Sequence, residues 1–304
     1  MFAIFLQLLP FFALIGLGWS AGRIGFFPPA ATAYLTKFIF FFPLSAMLFD
    51  FTSGLEISHV FQARFMGAYL AGSLCIWLMA FAVAKLRGEA TDMSTIEAQT
   101  AMIGNTGFLG VPMLAAVLGP EAVPAIIMVL CVDLIVFSVL FTVVISAART
   151  GRVAMWPLAL GVVKNPMVVS MAAGLIWSAS GLPIPEWLSH TVTMLGAAAT
   201  PGALFAIGAS LAALTLNRLG PASWLSVCKL ALHPCVIALS AFFVFGVDRF
   251  DAGVMVATAS LPVAGNVYML AQNYNIGAPR VSAAIFVSTA ASILTLPVIL
   301  HWVQ

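Results

Sequence analysis

Long apolar runs, interrupted by charges and by clusters of glycine, proline and serine, form the dominant pattern of this chain. A helix needs about 20 apolar residues to cross the ~30 Å hydrocarbon core of a bilayer, and the runs predict ten such spans. The predicted spans are 2–21, 33–51, 62–84, 96–118, 121–147, 162–180, 189–213, 223–246, 252–273 and 280–302. Because the runs are continuous and do not alternate like β-barrel strands, the predicted fold class is an all-α integral membrane protein.

Composition agrees with a chain embedded in the lipid bilayer. The 304 residues are 62% hydrophobic and 7% charged, whereas a soluble domain carries about 25% charged residues. Only short loops separate the spans, so residues 1–304 are predicted to form a single transmembrane unit. The net charge of +2 comes with no basic tract, which gives no indication of a nucleic-acid partner. None of the four cysteines forms a CxxC pair, so no metal and no cofactor is expected.

The distribution of Lys and Arg predicts the orientation of the chain. One set of alternate loops and span ends holds only Arg64 and Arg249. The other set holds Arg23, Lys37, Lys85, Arg87, Arg149, Arg152, Lys164, Arg218 and Arg280. The second set is therefore predicted to face the cytoplasm of a bacterial inner membrane, with the span 2–21 retained and both termini outside.

The chain also resembles itself. Three features recur in the same order, the first two at an offset of 158 residues and the third at 161. The pairs are Trp19-Ser20-Ala21 with Trp177-Ser178-Ala179, Pro43 with Pro201, and Gly104-Asn105 with Gly265-Asn266. They indicate two five-span repeats, about 1–147 and 158–304, and an odd number of spans inverts the second copy. Inverted repeats are typical of secondary transporters.

Polar, helix-breaking residues lie deep inside two of the spans. Asn105 is about 9 residues into the fourth span, ~14 Å at the helical rise, and Pro262 is at similar depth in the ninth. Non-helical backbone is tolerated there only where it is buried in protein or lines a cavity. Each break would create a helix N-terminus with free N–H groups and partial positive charge.

The two breaks together predict a site for an anionic substrate near the midplane. The candidate substrate-binding residues are Asn105, Thr106, Gly107, Pro112, Pro262, Gly265 and Asn266, with the repeat-related Pro43 added. The alternative is that glycines 104, 107 and 110 only allow close helix packing and that the asparagine caps a kink. Breaks at corresponding positions of both repeats favour the transport site.

The segment Asn105-Thr106-Gly107-Phe108-Leu109-Gly110-Val111-Pro112 resembles the fourth-helix signature of the auxin efflux carrier family. The stretches 164–166, 229–234 and 261–274 are similar to the family's patterns in the sixth, eighth and ninth helices, so the resemblance covers nearly the whole chain. That family includes plant auxin carriers and bacterial permeases proposed for malonate, malate or related acids.

The resemblance implies inverted repeats whose fourth and ninth helices are broken and cross. It also implies a scaffold domain of spans 1, 2, 6 and 7 and a mobile transport domain of spans 3–5 and 8–10. Elevator-type motion and a homodimer formed through the scaffold follow from the same resemblance. Plant relatives often carry a long loop between spans 5 and 6, and here that loop covers only about residues 148–161.

Ionisable residues inside the spans are candidates for coupling. Asp133 lies in the fifth span, and Lys229 and His233 share one face of the eighth at i and i+4. Asp133 and Lys229 could form a structural ion pair, or Asp133 or His233 could carry a proton.

Ser94 to Glu97 has the form of a capping box, which predicts that the fourth span begins there. Glu89 and Asp92 are expected to be solvated.

Three functions from different classes compete to explain these features. Secondary transport of a small organic anion agrees with the repeats and the two helix N-termini. A cation/proton antiporter of related architecture is the alternative, and Asp133 favours it, although no adjacent Asp/Asn pair forms a cation cage. An enzyme is not predicted, because HExxH and GxSxG motifs are absent and His233 with Asp133 is too little for a triad.

Overall fold

The computed structural model describes residues 2–55, 62–151, 160–161, 163–213 and 219–303. Seven helical runs in this part of the chain are long and apolar enough to cross a membrane, which confirms an all-α, multi-pass membrane protein. These runs are Ile4–Arg23, Pro29–Ser53, Ala63–Leu86, Pro120–Thr150, Glu186–Ala212, Gly220–Val244 and Ala278–Val303. They coincide with seven of the predicted spans. The predicted sixth span contains the shorter helix Pro166–Ser180, and the fourth and ninth are interrupted.

Sixteen helices are used in the description below. They are α1 (Phe2–Arg23), α2 (Pro29–Phe41), α3 (Pro43–Ser53), α4 (Ala63–Leu86), α5 (Thr91–Met102), α6 (Val111–Leu118), α7 (Val123–Cys131), α8 (Ser138–Thr150), α9 (Pro166–Ser180), α10 (Glu186–Ala197), α11 (Ala199–Ala212), α12 (Leu219–Val227), α13 (His233–Ala238), α14 (Arg249–Ala259), α15 (Gly265–Asn273) and α16 (Ala278–Val303). Wider π-helical turns cover Thr106–Gly110, Val132–Phe137, Cys228–Leu232 and Leu239–Val244. A 3₁₀ turn covers Pro120–Ala122.

Two of the long spans are interrupted close to the repeat-related prolines. The second span changes from α2 to α3 at Phe42, directly before Pro43, and the seventh changes from α10 to α11 at Ala198, just before Pro201. Proline has no N–H group and its ring crowds the preceding turn, so a helix kinks or restarts there. Pro43 is the first residue of α3, whereas Pro201 is the third residue of α11.

Glycines bring the backbones of α1 and α11 into direct contact. A Cβ atom added at Gly18 would lie 2.0 Å from the carbonyl oxygen of Phe205, and one at Gly208 would lie 1.9 Å from that of Ile15. Inside lipid no hydrophobic driving force holds helices together, and van der Waals packing between closely approaching backbones provides the attraction instead. α3 and α9 pack in the same way, since a Cβ at Gly174 would lie 2.0 Å from the Thr52 hydroxyl.

A cluster of charged side chains joins the ends of several other helices. Glu97 on α5 is completely buried and forms ion pairs with Arg87, at the end of α4, and Arg280, at the start of α16. Arg280 also contacts Glu89 at 2.8 Å. Arg149 at the end of α8 contacts Asp92 at 3.4 Å and donates to the carbonyl of Tyr274 at 2.7 Å. The cluster therefore ties α4, α5, α8, α15 and α16 together at one end.

The cluster corrects two predictions made from the sequence. α5 begins at Thr91, not at the predicted capping box, and the Ser94 hydroxyl bonds back to the carbonyl of Ala90. Glu97 does not reach back to the helix start, because two guanidinium groups hold its carboxylate. Glu89 and Asp92 are not merely solvated, since each contacts an arginine that is distant in the sequence.

The glycine contact between α1 and α11 can be tested by one added methyl group. We expect Gly208→Ala to lower the stability of the protein by roughly 1–3 kcal/mol, because overpacking forces the backbones of α1 and α11 apart. Gly16→Ala on the same α1 is the control, since nothing lies within 4 Å of a Cβ atom there. Thermal unfolding of both variants in detergent makes the comparison. Equal melting temperatures would show that the glycine contact is dispensable.

Candidate functional site

The two interrupted spans meet at their breaks. α5 ends at Met102 and α14 ends at Ala259, and the segments that follow run antiparallel and pair Gly104 with Val263. The Asn105 N–H donates to the carbonyl of Pro262 at 2.8 Å, and the Ala264 N–H donates to the carbonyl of Ile103 at 3.1 Å. The chain then returns to helix in Thr106–Gly110 followed by α6, and in α15. The breaks predicted at Asn105 and Pro262 are therefore present and touch each other.

Local sequence explains why each helix stops and starts here. In the ninth span Pro262 disfavours the helical conformation of Leu261, so α14 cannot continue. In the fourth span the helix starts again at Thr106, and Pro112 is the second residue of α6, directly after the wider turn Thr106–Gly110. The carbonyl of Asn105 accepts hydrogen bonds from Leu109 at 3.0 Å and Gly110 at 2.9 Å, which closes the wide turn that leads into α6.

The place where the paired segments 103–105 and 262–264 meet is called the crossing below. Helix N-termini flank it from opposite directions. The first N–H groups of a helix have no partner within the helix, and here they belong to Thr106, Gly107 and Gly265. Asn105 and Thr106 are buried, and the Oδ1 atom of Asn266 is buried with no hydrogen-bond partner in the described part of the chain. A Cβ atom at Gly265 would have nothing within 4 Å, so open space adjoins the start of α15. The crossing therefore combines a buried amide oxygen that has no partner in the described residues with an exposed glycine at the start of α15.

Three glycines around the crossing have no space for a side chain. A Cβ at Gly107 would lie 2.6 Å from the methyl group of Met167 on α9, and one at Gly110 would lie 2.5 Å from Leu261. At Gly104 a Cβ would lie 3.3 Å from Nζ of Lys229. These glycines are closely packed by side chains of other segments, and the packing interpretation and the candidate site are compatible with each other. Pro43 lies at the start of α3 and in neither break.

Beside the crossing lies a chain of buried polar side chains. The Tyr69 hydroxyl donates to Oδ1 of Asp133 at 2.9 Å, while Oδ2 of Asp133 has no partner among the described residues. Nε2 of His233 lies 2.9 Å from the Ser73 hydroxyl, and its Nδ1 lies 3.2 Å from Nζ of Lys229. Lys229 also donates to the carbonyl of Ala259 at the end of α14.

The structure brings the three coupling candidates to one region but changes their partners. In the described part of the chain no ion pair joins Asp133 and Lys229. The partners found instead are Tyr69, Ser73 and a backbone carbonyl. Tyr69 and Ser73 are separated by i and i+4 on α4, so they share a face. The signal that could have found them is that polar groups inside a span need partners.

Ser288 is a further residue of the crossing that the sequence did not reveal. It is completely buried on α16, and its hydroxyl oxygen accepts the Val263 N–H at 3.1 Å. Val263 is the residue paired with Gly104, so this bond satisfies a backbone donor that the break leaves free. Ser288 is thus a structural support of the crossing rather than a group with free bonding capacity.

Apolar helices that enclose two interrupted, mutually paired helices define the chain as a multi-pass membrane protein with the build of a transporter. A family model described as "Membrane transport protein" matches residues 3–300. The chain belongs to this family, which confirms the resemblance to the auxin efflux carriers. Membership indicates a transport role rather than catalysis.

A curated relative covers almost the whole chain. It is 28% identical over 303 residues, which are 97% of this chain and 94% of the relative. That protein comes from Rhizobium meliloti (strain 1021) and bears the name "Putative malonate transporter".

The role of Ser288 gives a test of the crossing as a structural unit. We expect Ser288→Ala to lower stability by roughly 1–3 kcal/mol, because the Val263 N–H stays buried without an acceptor. Ser292→Ala is a matched control one turn along α16, since Ser292 is equally buried and, among the described residues, its hydroxyl bonds only to the carbonyl of Thr289 in its own helix. Thermal unfolding measures both. A loss in Ser292→Ala as large as in Ser288→Ala would contradict the assigned role.

Proposed function

We propose that this protein is a secondary transporter of small organic anions, carboxylates in particular, which bind at the crossing of the two interrupted spans. The observation that carries the proposal is the antiparallel pairing of Gly104 with Val263, which sets helix N-termini on both sides of one point. Asn266 lies at the same place, and the NH2 group of its amide could donate to a carboxylate, whereas its Oδ1, an acceptor, has no partner in the described residues.

Electrostatics favours an anion at this point. Each helix N-terminus carries roughly half a positive charge, and its free N–H groups are donors for carboxylate oxygens. The amides of Asn105 and Asn266 and the hydroxyl of Thr106 add donors. Neither 103–112 nor 260–266 contains Asp or Glu, so no carboxylate of these segments competes with a bound anion. A charge-assisted hydrogen bond is about twice as strong as a neutral one, which suits a carboxylate.

The Rhizobium relative suggests the first substrate to test. Its name refers to malonate, and this chain matches it over 97% of its own length. Malonate is a small dicarboxylate, which agrees with a site built from helix N-termini and amides. Malate and auxin-like acids are further members of the proposed substrate class.

The proposed architecture is ten helices in two inverted repeats, about 1–147 and 158–304. Matching interruptions before Pro43 and Pro201, and matching breaks at Gly104 and Val263, support it. α1 packs on α11 and α3 packs on α9, which are the spans of the proposed scaffold. The charged cluster around Glu97 joins only helices of the proposed transport domain.

This division supports an elevator mechanism, in which the transport domain carries the crossing past the scaffold. We propose a homodimer formed through the scaffold, located in the bacterial inner membrane with both termini outside. Exposed large apolar side chains on α1 and α2, among them Leu17, Tyr34 and Phe38, agree with contact to lipid or to a second scaffold.

A cation/proton antiporter is the second candidate, and the unpaired Oδ2 of Asp133 is the observation that favours it. The two proposals differ in what crosses the membrane. Proteoliposomes that acidify or alkalinise when sodium or potassium is added, without any organic acid, would favour the antiporter. Uptake of labelled malonate without such a cation response would favour the anion transporter.

The proposed site predicts weaker binding when the amide at the start of α15 is removed. We expect Asn266→Ala to raise the Kd for malonate roughly 10- to 150-fold, which corresponds to the ~1.5–3 kcal/mol of a hydrogen bond to a charged group. Asn105→Ala should have a similar effect, because it lies at the equivalent break. Calorimetry on the purified protein measures the affinities.

Asn273→Ala is the control for this experiment, because Asn273 is exposed at the other end of α15. Malonamide, the neutral diamide of the same carbon skeleton, tests whether negative charge is required. Wild-type affinity in both Asn105→Ala and Asn266→Ala, or equal binding of malonate and malonamide, would contradict the proposed site.

A further inference from the structure

Lys229 is a lysine whose side chain is entirely buried beside the crossing. Its exposed fraction is 0%, and it lies in the π-helical turn Cys228–Leu232 in the middle of the eighth span. A lysine is almost never fully buried unless it has partners that offset the loss of water. Two acceptors surround the ammonium here, namely the carbonyl oxygen of Ala259 and Nδ1 of His233 at 3.2 Å.

The carbonyl that Lys229 contacts is the last one of α14. The last carbonyls of any helix lack a partner within the helix. In α14 the Ser260 N–H donates to Val256 at 3.0 Å and to Ala257 at 3.2 Å, and the Leu261 N–H donates to Thr258 at 3.2 Å. The carbonyl of Ala259 accepts none of these bonds, and it accepts a hydrogen bond from the Lys229 ammonium instead. Lys229 thus completes the C-terminus of α14 where the helix stops inside the protein.

The ammonium also lies directly against the paired backbone of the crossing. The Cβ position of Gly104 would be 3.3 Å from Nζ of Lys229 and 3.4 Å from the carbonyl oxygen of Thr258. The charge therefore stands between the end of α14 and the segment that pairs with Val263. A helix C-terminus carries roughly half a negative charge, so this place is electrostatically suited to a cation.

His233 is oriented to serve as an acceptor for that cation. With Lys229 protonated, the ammonium can only donate, so Nδ1 of His233 accepts from it, and the proton of the neutral imidazole is on Nε2, which donates to the Ser73 hydroxyl. Ser73 on α4 is completely buried and holds the imidazole in this orientation. The Ala259 carbonyl at the C-terminus of α14 and the imidazole nitrogen are thus two acceptors directed at one positive charge.

We propose that the protonated Lys229 ammonium occupies a monovalent-cation site at the C-terminal end of α14, so that no sodium ion binds there. In secondary transporters the C-terminal ends of interrupted helices and unwound carbonyls coordinate coupling ions. A lysine ammonium is a compact point charge on a flexible stem and can replace such an ion. The inference concerns a cation site and does not depend on which anion is carried.

The test compares melting temperatures in chloride salts of lithium, sodium, potassium and choline at equal ionic strength. The wild-type protein is expected to melt at the same temperature in all four, because the site is already filled. Lys229→Met is expected to melt several degrees lower in choline, because the carbonyl of Ala259 loses its donor. Sodium or lithium should recover a large part of that loss, since a small cation can then enter the vacated place.

Lys85→Met is the matched control, because Lys85 also donates to a backbone carbonyl, that of Glu89 at 3.1 Å, but is exposed. It should melt alike in all four salts. Lys229→Gln separates charge from hydrogen bonding and serves if Lys229→Met does not fold. It retains a neutral donor, so it should also gain stability from sodium, though less than Lys229→Met.

Three results would overturn the proposal. One is a sodium-specific rise in the melting temperature of the wild-type protein, which would show that a free cation binds although Lys229 is in place. Another is a loss in Lys229→Met and Lys229→Gln that no cation reduces. The last is a melting temperature of Lys229→Met in choline equal to that of the wild type. None of these measurements uses malonate, so their outcome is separable from the proposed anion transport.

Discussion

The structure depends on satisfying backbone hydrogen bonds inside the bilayer, where water cannot do so. Each unsatisfied N–H or C=O group costs several kcal/mol in hydrocarbon, and two interrupted spans expose many such groups. The antiparallel pairing of 103–105 with 262–264 solves part of this problem, because each break supplies the acceptor that the other needs. Either break alone would leave the N–H of Asn105 or Ala264 without its partner, so the two are stable only together.

Side chains from three other helices complete what the pairing leaves open. Ser288 from α16 accepts the N–H of Val263, and Lys229 from the eighth span donates to the carbonyl of Ala259. Met167 from α9 fills the space that the missing side chain of Gly107 leaves. Several backbone donors and acceptors of the breaks are thus matched within the protein, whereas Oδ1 of Asn266, the residue next to Gly265, has no partner among the described residues. The groups that stabilise the crossing are therefore different from the Asn266 amide, which can still form a hydrogen bond.

The sequence predicted the parts of the structure that depend on local patterns. Apolar length identified the long helices, and Pro262 and the glycines near Asn105 identified the breaks, because these residues act on their own backbone. Local patterns could not predict which distant residue forms a hydrogen bond or ion pair with a given polar side chain. The capping box at Ser94 failed because Arg280, 183 residues from Glu97, holds that carboxylate. Asp133 likewise bonds Tyr69, 64 residues away, and not Lys229, since many pairings are compatible with a sequence and packing selects among them.

The two breaks differ in the space that surrounds them, which bears on how an anion would reach the proposed site. On the side of the fourth span, Met167 covers Gly107 and Leu261 covers Gly110, and Phe108 stacks on Phe40 with ring centroids 6.2 Å apart. On the side of the ninth span, nothing stands within 4 Å of a Cβ at Gly265. An anion that enters in this conformation would therefore meet the N–H groups of α15 before those of the fourth span.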